Sequence, residues 1–415
     1  MKRVDTIVFN ASSLLTLAGP RRPRIGDEMQ NIGAIPDGAC AMKNGMVVAT
    51  GSTEAITASY TAHHHLDADG RLVMPGFVDP HTHLVFAGSR EQEMEMRLKG
   101  TAYLEILAQG GGIHSTVRAT RAASGDMLLR LARSRLQRIA EHGTTTLEIK
   151  SGYGLEPDAE EKILRVVARL RQEGPLDIVA TFLGAHAVPS GVDREAYIDW
   201  LTGDALRRYR NSAEFWDVFC EEGAFTREES LKILIAARGA GYGLKIHAGQ
   251  FTDCGAAGAA AMLGCVSVDH CDHVSDEQLL TMEKKGTIAV LLPGVTFYLG
   301  GAVYPGARRF IDSGVPVALA TDFNPGSCPS YSMQMMIALA CLEMKMKPEE
   351  AITAATVNSA WAINRGDSVG SLEPGKKADC IILDIEKPSQ IPYFFGVNLV
   401  TTVIKNGRVI WGKTA

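Results

Sequence analysis

The stretch Pro75-Gly76-Phe77-Val78-Asp79-Pro80-His81-Thr82-His83 decides how this chain is read. A short apolar run ends in two histidines separated by one residue. On an extended strand, residues two apart share a face, so both imidazoles can project to the same side and meet one ion. Neutral imidazole is a good ligand for zinc or ferrous iron. The pair alone says little, because many such pairs are structural. It gains force when further ligand types stand at the ends of other strands.

They do. His247 ends a candidate strand over 244–247, His270 ends one over 266–270, and Asp322 follows one over 317–320. Other short apolar runs lie at 144–149, 178–182, 215–219 and 288–292, with amphipathic helical runs such as 127–141 and 159–172 between them. Strand–helix alternation argues for a parallel sheet. Roughly eight repeats in about 295 residues favour a closed (β/α)8 TIM-like barrel, whose active site gathers at the C-terminal ends of its strands. Any one of these polar residues could be a hydrogen-bonded structural group. Five of them, at four strand ends in the order H-x-H, His, His, Asp, point to a metal site.

Outward from the barrel, the texture changes. Thr6-Ile7-Val8-Phe9 and Met46-Val47-Val48-Ala49 read as short strands, as do Asp379–Asp384 and 402–410, the last with an Asn406-Gly407 turn. The expected architecture is a small β-sandwich domain built from both termini, residues 1–74 and 371–415, beside a barrel over 75–370.

Composition fits. The chain has 415 residues, 46% apolar and 21% charged, which is ordinary globular usage. Its net charge of -5 argues against general affinity for nucleic acid or anionic membrane. No apolar run approaches the ~20 residues needed to span a bilayer. Met1-Lys2-Arg3 loosely resembles a signal n-region, but Asp5 and Asn10 break the apolar run after it, so an N-terminal strand is expected instead. Eight scattered cysteines without a C-x-x-C pair suit a reducing cytoplasm, with most thiols buried. His63-His64-His65 reads as a solvated loop, since adjacent side chains on an extended chain point opposite ways. Lys150, after the 144–149 strand, is expected to pair with Glu148 or another carboxylate; the competing expectation is a carboxylated lysine bridging two metals.

The ordered set H-x-H, His, His, Asp resembles the amidohydrolase superfamily, and within it the imidazolonepropionase family. The resemblance runs over nearly the whole chain. It is carried by Asp79–Arg90, Gly110-Gly111-Gly112-Ile113, Glu148-Ile149-Lys150-Ser151-Gly152-Tyr153-Gly154-Leu155, Phe182–His186, Ala320-Thr321-Asp322-Phe323-Asn324-Pro325-Gly326-Ser327 and Tyr393–Asn398. It implies one catalytic metal, zinc or iron (Zn2+ or Fe2+/Fe3+), held by His81, His83, His247 and Asp322. It implies substrate contacts from Arg90, Tyr103, Tyr153, His186, Gln250, Asn324, Gly326 and Ser327. The implied reaction opens the ring of 4-imidazolone-5-propanoate to N-formimino-L-glutamate in histidine breakdown. The resemblance also suggests a homodimer.

The implied roles suit the chemistry. The propionate tail wants a cation, and Arg90 offers a planar fork. Tyr153 sits on a loop after a strand, within reach of a ligand. His186 is expected to donate to the substrate, and the turn Asn324–Ser327 to fix the ring. His270 would hydrogen-bond the attacking oxygen or the oxyanion, and Asp322 would accept the water proton. A glutamine cannot be a carboxylate base, so Gln250 is given ring recognition only. Gly249 stands where relatives often carry an acid, and His273 is read as structural. A shared ion also requires Asp322 to come within ~6 Å of the His81 and His83 nitrogens, given ligand bonds of ~2.0–2.2 Å. The competing readings are another cyclic-amide hydrolase or deaminase, which would not need Arg90 with Tyr153, and a non-catalytic binding barrel.

Overall fold

A computed structural model describes residues 1–101, 111–301 and 303–412. Among them, sixteen strands form two sheets. In chain order they are β1 (Lys2–Leu15), β2 (Ala34–Lys43), β3 (Met46–Ser52), β4 (Tyr60–Asp67), β5 (Leu72–Pro75), β6 (Phe77–Asp79), β7 (Thr144–Lys150) and β8 (Asp177–Ala185). They continue with β9 (Phe215–Cys220), β10 (Gly243–Ala248), β11 (Ser267–His270), β12 (Ile288–Leu291), β13 (Val317–Leu319), β14 (Cys380–Leu383), β15 (Val400–Lys405) and β16 (Arg408–Gly412).

Strands β6 to β13 pair in chain order, every pair parallel. The first and last meet just beyond their ends. Asp322 N–H donates to His81 O (3.1 Å) and His83 N–H to Phe323 O (2.9 Å). Asp79 accepts from both the N–H and the hydroxyl of Thr321 (3.1 and 2.5 Å). The ring is therefore a TIM-like barrel. Its strands are buried on both faces, which is why Ile288–Leu291 and Val317–Leu319 read as continuous apolar runs rather than alternating ones. The outer helices carry local start signals. Helix Pro157–Glu173 opens on a proline, and Arg227–Gly239 opens on a reciprocal Thr226/Glu229 capping box.

The remaining strands form the second sheet, in order β16-β15-β14-β5-β1-β2-β3 with β4 beside β1. Both termini enter it because β14 pairs with β5, Cys380 opposite Pro75. The chain then passes into the barrel across Gly76, where any Cβ would overlap the Thr145 side chain. Asp177, at the start of β8, ties the two sheets together by accepting from Lys405 Nζ of β15 (2.6 Å) and Lys377 Nζ (2.7 Å).

The histidine run departs from expectation. His63, His64 and His65 are exposed, but they lie on β4, not in a loop, with His64 and His65 opposite Thr6 and Ile7 of β1. Long β1 offers a partner edge that polar composition did not reveal. All eight cysteines are free thiols. Among the described residues, no helix is long and apolar enough to cross a membrane.

Candidate metal centre and substrate cavity

The site is assembled at the C-terminal mouth of the barrel. His81 and His83 lie just past β6, His247 within β10, His270 at the end of β11, and Asp322 three residues past β13. All are buried. His270 and Asp322 have φ of +83° and +50°, the left-handed region that non-glycine residues rarely adopt. Such strain persists only where surrounding structure imposes it, and it clusters at functional sites.

His81 Nε2 lies 3.2 Å from His83 Nε2 and 3.4 Å from Asp322 Oδ1, and His83 Nε2 lies 3.3 Å from the same oxygen. Ligands bound at ~2.0–2.1 Å around a tetrahedral ion stand about 3.3–3.4 Å apart. The triangle thus has the edges of one face of such a polyhedron. His247 also brings a nitrogen within 4.8 Å of those of His81 and His83. Its Nε2 and Asp322 Oδ1 are buried without a hydrogen-bond partner. Leaving such atoms unpaired costs ~1–3 kcal/mol each. These residues can hold a metal ion. His270 likewise offers an atom within 4.8 Å of His81 and Asp322.

Beneath them lies a charged layer of which the sequence reading anticipated only the pairing of Lys150 with Glu148 or another carboxylate. His81 Nδ1 pairs with Asp269 Oδ2 (2.7 Å) and His247 Nδ1 with Asp217 Oδ1 (3.1 Å). This is the carboxylate–histidine arrangement that fixes a ligand's tautomer and orientation. Lys150 Nζ sits 2.7 Å from Asp217, 2.8 Å from Glu148 and 3.4 Å from Asp269. Lys245 Nζ sits 3.1 Å from Glu148 and also donates to Pro80 O (2.9 Å). With Asp322, four carboxylates face two ammonium groups, an excess of two negative charges that one divalent cation would neutralise. Lys150 is a paired ammonium. Burial pulls its pKa down, but Asp217, Glu148 and Asp269 outweigh it and hold the pKa above the ordinary lysine value. That environment disfavours the neutral amine which carboxylation requires.

The same forces set the imidazoles. Burial lowers the His83 pKa and takes His247 well below the ordinary value, while His270 is pushed down to about 3. Burial and Lys150 act downward on His81, but Asp269 and Asp322 outweigh them and raise it. Burial acts upward on Asp322, yet the adjacent His81 and His83 imidazoles outweigh it and hold its pKa well below the carboxylate range.

Above the cluster opens a cavity of about 290 Å³, just under the ~300–1,000 Å³ typical of ligand pockets. Arg90, Tyr153, His186, Gln250, Asn324, Gly326 and Ser327 all line it, with His83, His247, His270 and Asp322 at the base. Tyr103 lies outside the described residues. Arg97, Ile113, His114, Phe219 and Glu221 also line it and were not singled out from sequence. Two side chains stand differently from expectation. His186 Nδ1 lies 3.1 Å from Gly152 O, and burial pushes its pKa to about 3. The neutral ring must carry its proton on Nδ1 to make that bond, so Nε2 is an acceptor rather than the expected donor. Asn324 spends its amide on its own turn: Nδ2 donates to Asp322 O and Ser327 Oγ (2.7 Å each), and Oδ1 accepts from Gly326 N–H (2.7 Å) and Ser327 N–H (2.8 Å). Its capacity is filled, so it shapes the turn rather than reading the ring. Gly249 has φ +71°, and a Cβ there would meet His273 O at 2.6 Å. That close approach explains a glycine at this position. The His273 side chain itself is exposed.

A parallel barrel with a histidine–aspartate cluster at its C-terminal mouth is the arrangement of amidohydrolases. The amidohydrolase family model matches residues 204–410, and a second model of that description matches 65–111. Curated relatives include imidazolonepropionases of Caldanaerobacter subterraneus subsp. tengcongensis (46% identical, 97% of each chain), Symbiobacterium thermophilum (46%, 99% of this chain and 98% of that one) and Bacillus cytotoxicus (45%, 99% and 97%). The chain belongs to the imidazolonepropionase family, hydrolases of the amidohydrolase superfamily. Among solved structures, it resembles a 5-methylcytosine deaminase from Klebsiella pneumoniae liganded with phosphonocytosine (TM-score 0.74, 16% identical, 99% and 98% covered). It also resembles a zinc-bound adenosine deaminase from Xanthomonas campestris (TM-score 0.69, 17% identical, 99% and 94% covered). These likenesses are of fold alone.

Proposed function

We propose that this enzyme hydrolyses the ring amide of 4-imidazolone-5-propanoate to N-formimino-L-glutamate, using one divalent zinc or iron ion held by His81, His83, His247 and Asp322. The observation that carries the reading is the triangle of 3.2–3.4 Å edges among His81, His83 and Asp322 at the base of a cavity walled by Arg90. When bound, the ion supplies Lewis acidity that makes water a nucleophile near neutral pH. The rest falls to the chain. Arg90 takes the propionate carboxylate, Tyr153 and Gln250 contact the ring, and His186 Nε2 accepts a substrate N–H. His270, kept neutral by burial, has one ring N–H for the oxygen that gains charge in the transition state. Asp322 Oδ1 faces the imidazoles, leaving Oδ2, with Ser327 Oγ 3.4 Å away, to take the water proton and pass it to the leaving ring nitrogen. The same reading treats 1–74 with 371–415 as one unit and 75–370 as the catalytic one, and has a homodimer acting in the cytoplasm.

The test is incubation with fresh imidazolonepropionate, product identification and elemental analysis. Formiminoglutamate formed by protein carrying about one ion per chain is expected. A metal-loaded protein that leaves the substrate intact refutes the reading.

A further inference from the structure

Arg90 does not project freely into the cavity. Its Nε and Nη2 both bond Glu93 Oε2, at 2.8 and 2.7 Å. Glu93 is buried, stands three residues on in helix Glu91–Leu98, and does not line the cavity. Its other oxygen, Oε1, accepts the Gly112 N–H at 2.9 Å. Gly112 caps helix Ile113–Ala122, whose first residues, Ile113 and His114, line the cavity. One carboxylate therefore fixes two parts of the wall. The opposite edge of the guanidinium is fixed by shape: Nη1 stands so close over Gly326 that a Cβ there would overlap it. Gly326 is itself held by its N–H bond to Asn324 in the turn just after Asp322.

We infer that Glu93 is a positioning residue for substrate recognition: it clamps the Nε–Nη2 edge of Arg90 so that the Nη1 side, resting on Gly326, is presented to the carboxylate of the substrate. The inference rests on the proposed reaction and deepens it. An arginine fork binds a carboxylate well only when its plane is held, because a mobile side chain loses rotamer freedom on binding. Glu93 meets that loss in advance, during folding. The reacting groups, His270 at the end of β11 and Asp322 just past β13, are carried by other segments of the barrel.

The test uses the full-length, metal-loaded enzyme, with Glu93→Gln as the variant. Glutamine keeps the size and can still accept one bond, but it cannot make the charged pair. KM for imidazolonepropionate should rise about tenfold, the lower end for a charge-assisted bond, with kcat within about threefold of wild type. The analogue whose propionate is replaced by propanamide should show the same kcat/KM in both enzymes. In an Arg90→Ala background, Glu93→Gln should add nothing further to KM, because its effect acts through Arg90. An unchanged KM in Glu93→Gln, or equal losses on both substrates, or full additivity with Arg90→Ala, overturns the inference and leaves the proposed reaction standing. Wild-type enzyme that fails to consume imidazolonepropionate removes the reaction itself.

Discussion

Asp269→Asn isolates the charged layer beneath the candidate metal centre. Asp269 Oδ2 sits 2.7 Å from His81 Nδ1, 3.4 Å from Lys150 Nζ and 3.7 Å from Lys245 Nζ, and Oδ1 accepts the Ser267 hydroxyl at 2.6 Å. Asparagine fits the same space. Its oxygen can still accept from His81, and the Ser267 hydroxyl can turn to accept from the new amide. Lys150 keeps Asp217 and Glu148, so the barrel should fold. What is lost is charge: the bond to His81 falls to about half its strength, and the excess of two negative charges falls to one. Losses of this type weaken metal binding by about 10–100-fold, or about 1.4–2.7 kcal/mol. The same amount leaves the metal-linked part of the stability. At ~2.1 cal/mol/K per residue, a chain of this length unfolds with an entropy near 0.9 kcal/mol/K, so Tm with metal should fall by about 1.5–3 °C. Equilibrium dialysis against a chelator buffer, read by elemental analysis, gives the dissociation constant directly. A value within twofold of wild type would refute the carboxylate–histidine coupling.

His270→Ala should lower kcat by about 10²–10³, the loss seen when an oxyanion donor is removed, with metal content intact; loss of the metal would instead make His270 a ligand. Asp177→Asn should destabilise the enzyme by about 1.5–3 kcal/mol at pH 7. Burial pushes the Asp177 pKa up, but Lys405 and Lys377 outweigh it and hold the pKa below the ordinary value. The contribution is therefore complete above about pH 4 and lost as pH falls through the lower folded value, so urea titrations of wild type and variant should converge in acid. Gly249→Ala should cost about 1–3 kcal/mol, because it forces a side chain into φ +71° against His273 O; unchanged thermal stability would show that this loop yields.

The barrel was legible because short, largely apolar strands buried on both sides, as at Ile288–Leu291, alternate with amphipathic helical runs. The strand-end histidines were legible because several ligand types stand at the ends of different strands, where any one alone would more often be structural. The supporting layer was less visible, although its signal was present. Lys245 and His247, and likewise Glu148 and Lys150, alternate on one face of a strand, and Asp217 interrupts the apolar Phe215–Cys220. A single charge inside an apolar strand does not say which strand answers it. That depends on register, here His247 opposite both Phe219 and Asp269. The partnership of Arg90 with Glu93 is local in sequence, yet three-residue ion pairs on helices are too common to mark a site. The filled amide of Asn324 depends on how tightly its turn closes, which residue types alone do not specify.

The junction between β6 and β13 places catalysis and architecture on the same few peptides. His81 and Asp322 are joined through their own main chains, as are His83 and Phe323. Any fluctuation that parts the first and last staves of the ring pulls His81 and His83 away from Asp322, and anything that draws those side chains together latches the ring shut. Amide exchange at Asp322 and His83 should therefore slow sharply on metal loading, while amides on the opposite wall, such as those of β9, respond far less.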